Sequence, residues 1–249
     1  MPALAVPLPP LLMALAFLIV AGAAAVQAGL GFGFGLAAAP LLALMTPDVV
    51  PGPVLWVGLL TSIAAAWADR AGIVWPEVWL GSLGRLVGVV IAVAVMARTG
   101  SGPGFQVVFG GMVGCAVVLS LVGRRLPSGR GPLVGMATVS GVMGTITGVG
   151  APPMAMVYQG RSAAAARPTL AAFFSIGVAL SLAGLHLGGL AGWRDLWLAL
   201  LMVPPMLLGT VIGRSLRGRI DTRWRLAMLV ISATAAVVLI LRGIVQWAA

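Results

Sequence analysis

Apolar residues fill this chain almost from end to end, and that continuity constrains its fold more than any other feature of the sequence. Hydrophobic residues make up 61% of the 249 positions and charged residues 8%, whereas a soluble domain carries about 25% charged residues. A water-soluble surface cannot be built from this composition. Because a transmembrane helix needs roughly 20 mostly apolar residues, we expect about eight such segments with very short loops. No length is left for a soluble catalytic domain.

The apolar segments are bounded by Gly, Pro or Arg. The first and the fifth segments are interrupted, at 29–35 and 144–153. Pro51, Pro53, Pro76 and Pro168 are expected at helix starts, where a missing amide donor costs nothing. The fold class predicted from this pattern is an all-α polytopic membrane protein. The eight segments fall at about 11–46, 51–68, 77–97, 104–123, 132–160, 168–190, 195–213 and 224–247.

The pattern repeats within the chain. Gly29, Gly33 and Gly35 recur 115 residues later, and a Trp-x-acid-x-Trp motif at Trp75 recurs 118 residues later at Trp193. Two further matches, from Gly88 to Gly209 and from 116–119 to 236–239, come at shifts of 121 and 120. Four matches in one order predict two homologous transmembrane repeats, 8–125 and 131–247, each opening with a broken or re-entrant helix. Repeats with interrupted segments at matching positions are typical of secondary transporters, whose substrate site forms between the repeats.

The charge of +10 comes from fifteen Arg and no Lys against five acidic residues. In a soluble protein this balance would suggest a nucleic-acid partner. Here most of the Arg lie in loops beside apolar runs, so we interpret them as topology signals of a protein whose partner is the lipid bilayer and not nucleic acid.

The distribution of Arg distinguishes two topologies. Eight single crossings would divide the loop Arg eight against six, which is no bias. If each interrupted element enters the membrane, breaks and returns, the division becomes eleven against three, which obeys the positive-inside rule. This second topology predicts inverted repeats with both termini outside. Its cytoplasmic side would carry Arg70, Arg124, Arg125, Arg130, Arg161, Arg167, Arg214, Arg217, Arg219, Arg223 and Arg225, and the opposite side Arg98, Arg194 and Arg242.

The interruptions are two Gly motifs, Gly-Leu-Gly-Phe-Gly-Phe-Gly at 29–35 and Gly-Thr-Ile-Thr-Gly-Val-Gly at 144–150. Pro40 follows the first motif and Pro152-Pro153 the second. The alternate glycines let the backbone leave helical geometry, and the prolines cannot continue a helix through their own amides. A broken helix presents the free N–H groups of its second half to the membrane interior, which favours an anion. The alternative is close helix packing through small residues.

Arg85 lies near the centre of segment 77–97 and is the clearest ionisable residue at membrane depth. Such residues are costly and usually face a cavity. Because no Asp or Glu lies at comparable depth, a bound anion is a candidate partner. The alternatives are that Arg85 caps backbone carbonyls of the broken helix or extends to the interface. Pro204-Pro205 occupies about the equivalent position in the second half, so we expect an asymmetric site.

Other polar residues cluster around the two breaks. They could line a path, although Ser and Thr in membrane helices commonly bond their own backbone. His186, the sole histidine, could titrate in a coupling step, but an interfacial position is the simpler expectation. The four Trp of the repeated motif are expected to anchor the interfaces. The polar residues around the breaks are Gln27, Ser140, Thr145, Thr147, Tyr158 and Gln159.

The Gly-Phe-Gly-Phe-Gly-(x4)-Pro opening, the second Gly-x-Gly-x-Pro-Pro motif about 115 residues on and the two short halves together resemble the sulfite exporter TauE/SafE family of membrane permeases. The resemblance covers nearly the whole chain. It implies export or uptake of sulfite, sulfonates or related organosulfur anions across the cytoplasmic membrane, with no bound cofactor. It agrees with the anion preference expected from Arg85 and the helix ends.

The function predicted is therefore secondary transport of a small anionic substrate by a multi-pass protein of the cell membrane. A passive anion channel and a non-transporting assembly protein stay open as alternatives, and so does a homo-oligomer. An enzyme is disfavoured because the chain has one His, one Cys (Cys115) and no membrane-embedded carboxylate. One cysteine also excludes an internal disulfide and a thiolate metal cluster. The predicted substrate-binding residues are Gln27, Gly31, Gly33, Gly35, Arg85, Thr145, Thr147, Gly148, Gly150 and Tyr158.

Overall fold

The computed structural model describes residues 9–30, 34–45, 49–123, 126–127, 129–215 and 222–248. These residues fold into ten α-helices and one short 3-10 helix, Arg70–Gly72, without a strand. The predicted all-α fold class is thereby confirmed. The helices are α1 (Pro10–Leu30), α2 (Phe34–Met45), α3 (Gly52–Ala68), α4 (Trp75–Thr99), α5 (Pro103–Val122), α6 (Arg130–Thr147), α7 (Ala151–Tyr158), α8 (Ala163–Leu187), α9 (Trp193–Ser215) and α10 (Thr222–Ala248).

Six of the described helices are long and apolar enough to cross a membrane, namely α1, α4, α5, α8, α9 and α10. Helices α2 and α3 are apolar but shorter. Large apolar side chains remain exposed on the outside of the bundle, among them Leu18, Leu83, Val90 and Val211. In water such a surface would be unfavourable, whereas against lipid tails it loses nothing.

The helices begin and end close to the predicted segment limits, with one clear exception. Pro168 was expected at a helix start, but α8 begins at Ala163 and includes Pro168. That prediction is wrong because Ser162 supplies the start signal, its side chain accepting a hydrogen bond from the Ala165 N–H at 3.3 Å. Pro51, Pro53 and Pro76 do lie at the N-terminal ends of α3 and α4, as predicted.

Helix α4 packs most extensively on α6, and α1 on α9; α5 packs on α10 and α3 on α8. If α1–α5 are exchanged in order for α6–α10, the α4–α6 pair becomes the α9–α1 pair. The α5–α10 and α3–α8 pairs stay the same. The repeated glycines occupy matching places, because Gly88 of α4 abuts the backbone carbonyl of Thr138 and Gly209 of α9 abuts that of Ala21. Two repeats related by a two-fold axis would require such a pattern, and the limits 8–125 and 131–247 stay a prediction.

Candidate functional site

The two interrupted elements meet where the start of α2 contacts the end of α6. Helix α1 ends at Leu30 and α2 begins at Phe34, while α6 ends at Thr147 and α7 begins at Ala151. Gly35, in the first turn of α2, abuts the backbone carbonyl of Gly148 so closely that a Cβ at position 35 would overlap it. The absence of a side chain at Gly35 therefore allows the breaks to meet. Gly31 and Gly33, also predicted to bind substrate, lie outside the described residues.

The first break is closed by a side chain. The Gln27 Oε1 atom accepts a hydrogen bond from the Phe34 N–H at 3.0 Å, which satisfies one free donor at the start of α2. Gln27 was predicted to bind substrate, and the structure places its amide oxygen on the protein backbone. Helix α1 itself runs through Gly29, inside the predicted interruption.

The second break depends on a glycine conformation. Gly148 has a φ of 76°, in the left-handed region, and its N–H donates to the Gly144 carbonyl at 2.9 Å to end α6. The Thr147 hydroxyl donates to the Met143 carbonyl at 2.6 Å and accepts from the Val149 N–H at 3.0 Å. Thr147 thus follows the alternative considered from the sequence, in which a threonine bonds its own backbone.

The start of α7 offers fewer donors than the sequence analysis assumed. A helix normally leaves its first four N–H groups without intrahelical partners. Pro152 and Pro153 occupy two of these positions and carry no N–H. Only Gly150 and Ala151 can therefore contribute N–H groups at this end.

Arg85 lies beside this second break. Its side chain is 1% exposed and its Nη1 atom donates to the Ser140 hydroxyl at 2.8 Å. The Ser140 hydroxyl in turn donates to the Gly150 carbonyl at 2.6 Å. Helix α4 supplies the cation, α6 the serine and the α6–α7 break the carbonyl, so the three elements meet at one guanidinium.

Three glycines make room for this guanidinium. A Cβ at Gly144 would lie 2.7 Å from Nη2, one at Gly150 would lie 2.7 Å from Nη1, and one at Gly177 of α8 would lie 2.8 Å from Nε. Any side chain at these positions would displace the guanidinium. Gly144 was predicted to interrupt α6, but the helix continues through it, and its role in the structure is to leave space for Arg85.

Among the described residues, no Asp or Glu forms a salt bridge with Arg85, and the nearest acidic residue on its own helix, Glu77, pairs with Arg161. The Nε atom of Arg85 is buried and has no hydrogen-bond partner. The Cζ atom lies 5.7 Å from the ring centroid of Phe173 and 6.0 Å from that of Phe174, which gives partial compensation through cation–π attraction. A buried cation with an unsatisfied donor is costly, and this cost points to a partner outside the chain.

A second buried polar pair is formed by Thr145, which follows Gly144, and Ser181. The Thr145 and Ser181 hydroxyl groups are 2.8 Å apart, and Ser181 also donates to the Gly177 carbonyl at 2.9 Å. Sequence reasoning found Thr145 but missed Ser181 and Gly177. Their spacing of four residues in the middle of an apolar helix was a usable signal, because it places a small and a polar residue on one face.

Tyr158 belongs to a different cluster. Its hydroxyl donates to Glu77 Oε2 at 2.8 Å, and Arg161 donates to both carboxylate oxygens at 2.6 and 2.9 Å. This hydrogen bonding raises the pKa of the Arg161 guanidinium above its ordinary value. Glu77 precedes Arg85 by eight residues, about 12 Å along α4. The structure therefore does not bring Tyr158 together with the other predicted site residues.

The four Trp of the repeated motif and His186 lie near helix ends and are exposed. Trp75, Trp79, Trp193 and Trp197 stand at the starts of α4 and α9 and are exposed. His186 is exposed near the end of α8, away from the buried guanidinium. These positions are compatible with contacts at membrane interfaces.

Six apolar helices of membrane-spanning length in the described part of the chain are typical of a multi-pass membrane protein. A family model described as Sulfite exporter TauE/SafE matches residues 15–242. The chain therefore belongs to the sulfite exporter TauE/SafE family, a family of membrane transporters, and the predicted resemblance is confirmed. No curated protein and no solved structure matches the chain.

Proposed function

We propose that this protein is a secondary transporter that carries small anions such as sulfite or organosulfonates across the cytoplasmic membrane and binds them at Arg85. The observation that carries the proposal is the buried guanidinium, whose Nε has no partner and which no described carboxylate neutralises. A bound anion would supply both the missing charge and the missing acceptor. Membership of a transporter family fixes the broad activity, and the site supports the choice of an anion.

Three groups of residues have distinct roles in this proposal. Arg85 binds the anion, while Gly144, Gly150 and Gly177 keep open the space that the guanidinium occupies. Ser140 orients Nη1 and joins it to the carbonyl of the second break. Gln27 and Thr147 satisfy backbone groups at the two breaks and act on the anion only through the shape of the path.

The burial of Arg85 favours a carrier over a passive channel. With its side chain 1% exposed and glycines against all three nitrogens, an anion reaches it only when the helices around it separate. A carrier alternates between such closed and open arrangements, whereas a channel keeps a continuous path. Counterflow, in which unlabelled anion on one side drives uptake of labelled anion from the other, is expected for the carrier.

Contacts between the helix ends support the inverted topology. Glu77 at the start of α4 pairs with Arg161, and the Val74 N–H donates to the Thr169 hydroxyl at the start of α8 at 3.0 Å. These contacts keep the α3–α4 connection, which contains Arg70, and the α7–α8 connection, which contains Arg161, on the same side of the bundle. The inverted topology, with its eleven-to-three division of Arg, requires this arrangement. The Leu126 N–H donates to the Met156 carbonyl at 3.3 Å, so α7 returns toward the start of α6.

We expect cysteine labelling on a Cys115→Ala background to place the loops near Arg124 and Arg217 on the cytoplasmic side. Both loops belong to the Arg-rich side of the inverted topology, and Arg124 and Arg217 themselves lie outside the described residues. Membrane-impermeant thiol reagents applied to intact cells and to inverted vesicles provide the measurement. Labelling of the two loops from opposite faces would support eight single crossings and exclude the inverted arrangement.

Uptake of radiolabelled sulfite into proteoliposomes containing the purified protein tests the function directly. Unlabelled sulfite, sulfate and small sulfonates are added in competition, and protein-free liposomes give the background. Saturable uptake with counterflow is the expected result. Uptake that does not saturate would indicate a channel, and the absence of uptake for every anion would leave a non-transporting membrane protein.

A further inference from the structure

We infer that the Arg85 site selects singly charged anions over doubly charged anions of the same size and shape. This inference rests on the proposed function and narrows the substrate class. Its basis is a count of the charges that the described helices place around the unpaired Nε of Arg85.

Arg85 is the sole charged group near the second break in the described part of the chain. The other charged or titratable side chains on the helices that surround it stand near the helix ends. Counted along each helix from Arg85, Ser140 or Gly177, they are between about 12 and 20 Å away. Helix α7 carries Tyr158, eight residues beyond Gly150 and bonded to Glu77. These distant groups are Glu77 and Arg98 on α4, Arg130 on α6, and Arg167 and His186 on α8.

The helix ends add little net charge at this place. The N-terminus of α7 has a partial positive charge, but the C-terminus of α6, separated from it by three residues, has a partial negative charge of the same size. Pro152 and Pro153 further reduce the donors at the α7 start. The buried site therefore presents close to one positive charge.

One negative charge neutralises this site and two do not. A monoanion beside Arg85 forms a neutral buried pair, whereas a dianion leaves one uncompensated negative charge in an apolar interior, where such a charge is costly. The rings of Phe173 and Phe174 lie close to the guanidinium. Because the faces of aromatic rings are themselves electronegative, these rings offer no stabilisation to excess negative charge.

The hydrogen-bond donors available to a bound anion also come from few groups. Nη1 donates to Ser140 and Nε is a buried donor without a partner, so the donors left for an anion belong to one guanidinium. The nearby hydroxyl groups of Thr145 and Ser181 are hydrogen-bonded to each other. The oxygens of a sulfonate can accept from this guanidinium, whereas the additional hydration of a dianion would have to be replaced by the same few donors.

Binding of methanesulfonate and sulfate to the purified detergent-solubilised protein tests the inference. The two anions are both tetrahedral and similar in size but carry one and two charges. Calorimetry should show methanesulfonate binding at least ten-fold more tightly, and Arg85→Gln should weaken methanesulfonate binding at least ten-fold. Equal affinities, or tighter sulfate binding, would overturn the inference.

Methylphosphonate separates charge from the effect of a methyl group. It passes from monoanion to dianion near neutral pH without any other change, so its affinity should fall as the pH rises, while that of methanesulfonate stays flat. Parallel pH profiles would show that the methyl group and not the charge is selected, which contradicts the inference. If the proteoliposomes take up sulfite but show no preference between monoanions and dianions, the charge selection is refuted. The proposed transport function would still stand. Failure of every anion to bind or to be transported would refute both.

Discussion

The first and second breaks share a position in the chain's repeating pattern but satisfy their open helix ends differently. The first uses the Gln27 amide on the Phe34 N–H. The second uses a left-handed Gly148, the Thr147 hydroxyl and a Ser140 link to Arg85. Only the second break thereby acquires a charge. The two halves thus share a similar helix arrangement, but only the break that faces α4 has a charged side chain beside it.

The prolines of α9 fit this asymmetry. Pro204-Pro205 lies at about the position in the second half that Arg85 holds in the first, and α9 remains helical through both prolines. No guanidinium can therefore reach the first break from α9 in the way that Arg85 reaches the second from α4. The asymmetric site expected from the sequence agrees with the positions of these residues.

Substituting the glycine at which the two breaks meet is expected to have the largest effect. Gly148→Leu should abolish anion transport, because position 148 has a positive φ and a Cβ there would lie 2.9 Å from Val54 Cγ1. Proteoliposome uptake is the measurement, with size-exclusion profiles to confirm assembly. Gly135→Leu in α6, the helix that Gly148 ends, is the matched control, since a Cβ at Gly135 meets nothing within 4 Å. Normal uptake by the Gly148 variant would reduce the motif to a packing device.

Removing the hydroxyl that joins Arg85 to the second break should have an intermediate effect. Ser140→Ala deletes the hydrogen bonds to Nη1 and to the Gly150 carbonyl. At about 1 kcal/mol per hydrogen bond, we expect anion affinity to fall several-fold. Ser175→Ala, whose hydroxyl bonds only the Ala171 carbonyl of its own helix, should leave the affinity unchanged. Identical affinities for the two variants would show that Ser140 does not orient the guanidinium.

The corresponding change at the first break should affect stability and not binding. Gln27→Ala leaves the Phe34 N–H without its acceptor, which should lower the free energy of unfolding by about 1 kcal/mol. Anion affinity should stay within two-fold of the parent, because Gln27 bonds the backbone at the start of α2 and not Arg85. Gln246→Ala, which removes an exposed bond to Gln106, provides a control with a smaller expected effect. A large loss of affinity in Gln27→Ala would contradict the division of roles between the breaks.

The sequence predicted the helices of this molecule better than the contacts between their side chains. Hydrophobic runs and the Gly and Pro residues between them are local signals, so the all-α fold and the approximate positions of most helices could be predicted from them. Partners separated by 55 or 81 residues, as in Arg85 with Ser140 and Tyr158 with Glu77, depend on how the helices pack. A single sequence carries no record of that register. For this reason neither the Ser181 contact nor the hydrogen bond from Tyr158 to Glu77 was predicted.

Arg85 itself provides the most direct test, because the account depends on its guanidinium holding an anion and not merely a backbone carbonyl. Anion affinity and thermal stability should be measured on the same purified Arg85→Gln and Arg85→Lys proteins. We expect Arg85→Gln to remain folded and to bind at least ten-fold more weakly, about 1.4 kcal/mol. Arg85→Lys should recover only part of the affinity, because ammonium keeps the charge but loses the planar fork. A stable Arg85→Gln protein with unchanged affinity would contradict the account, and unfolding of both variants would make Arg85 a structural residue.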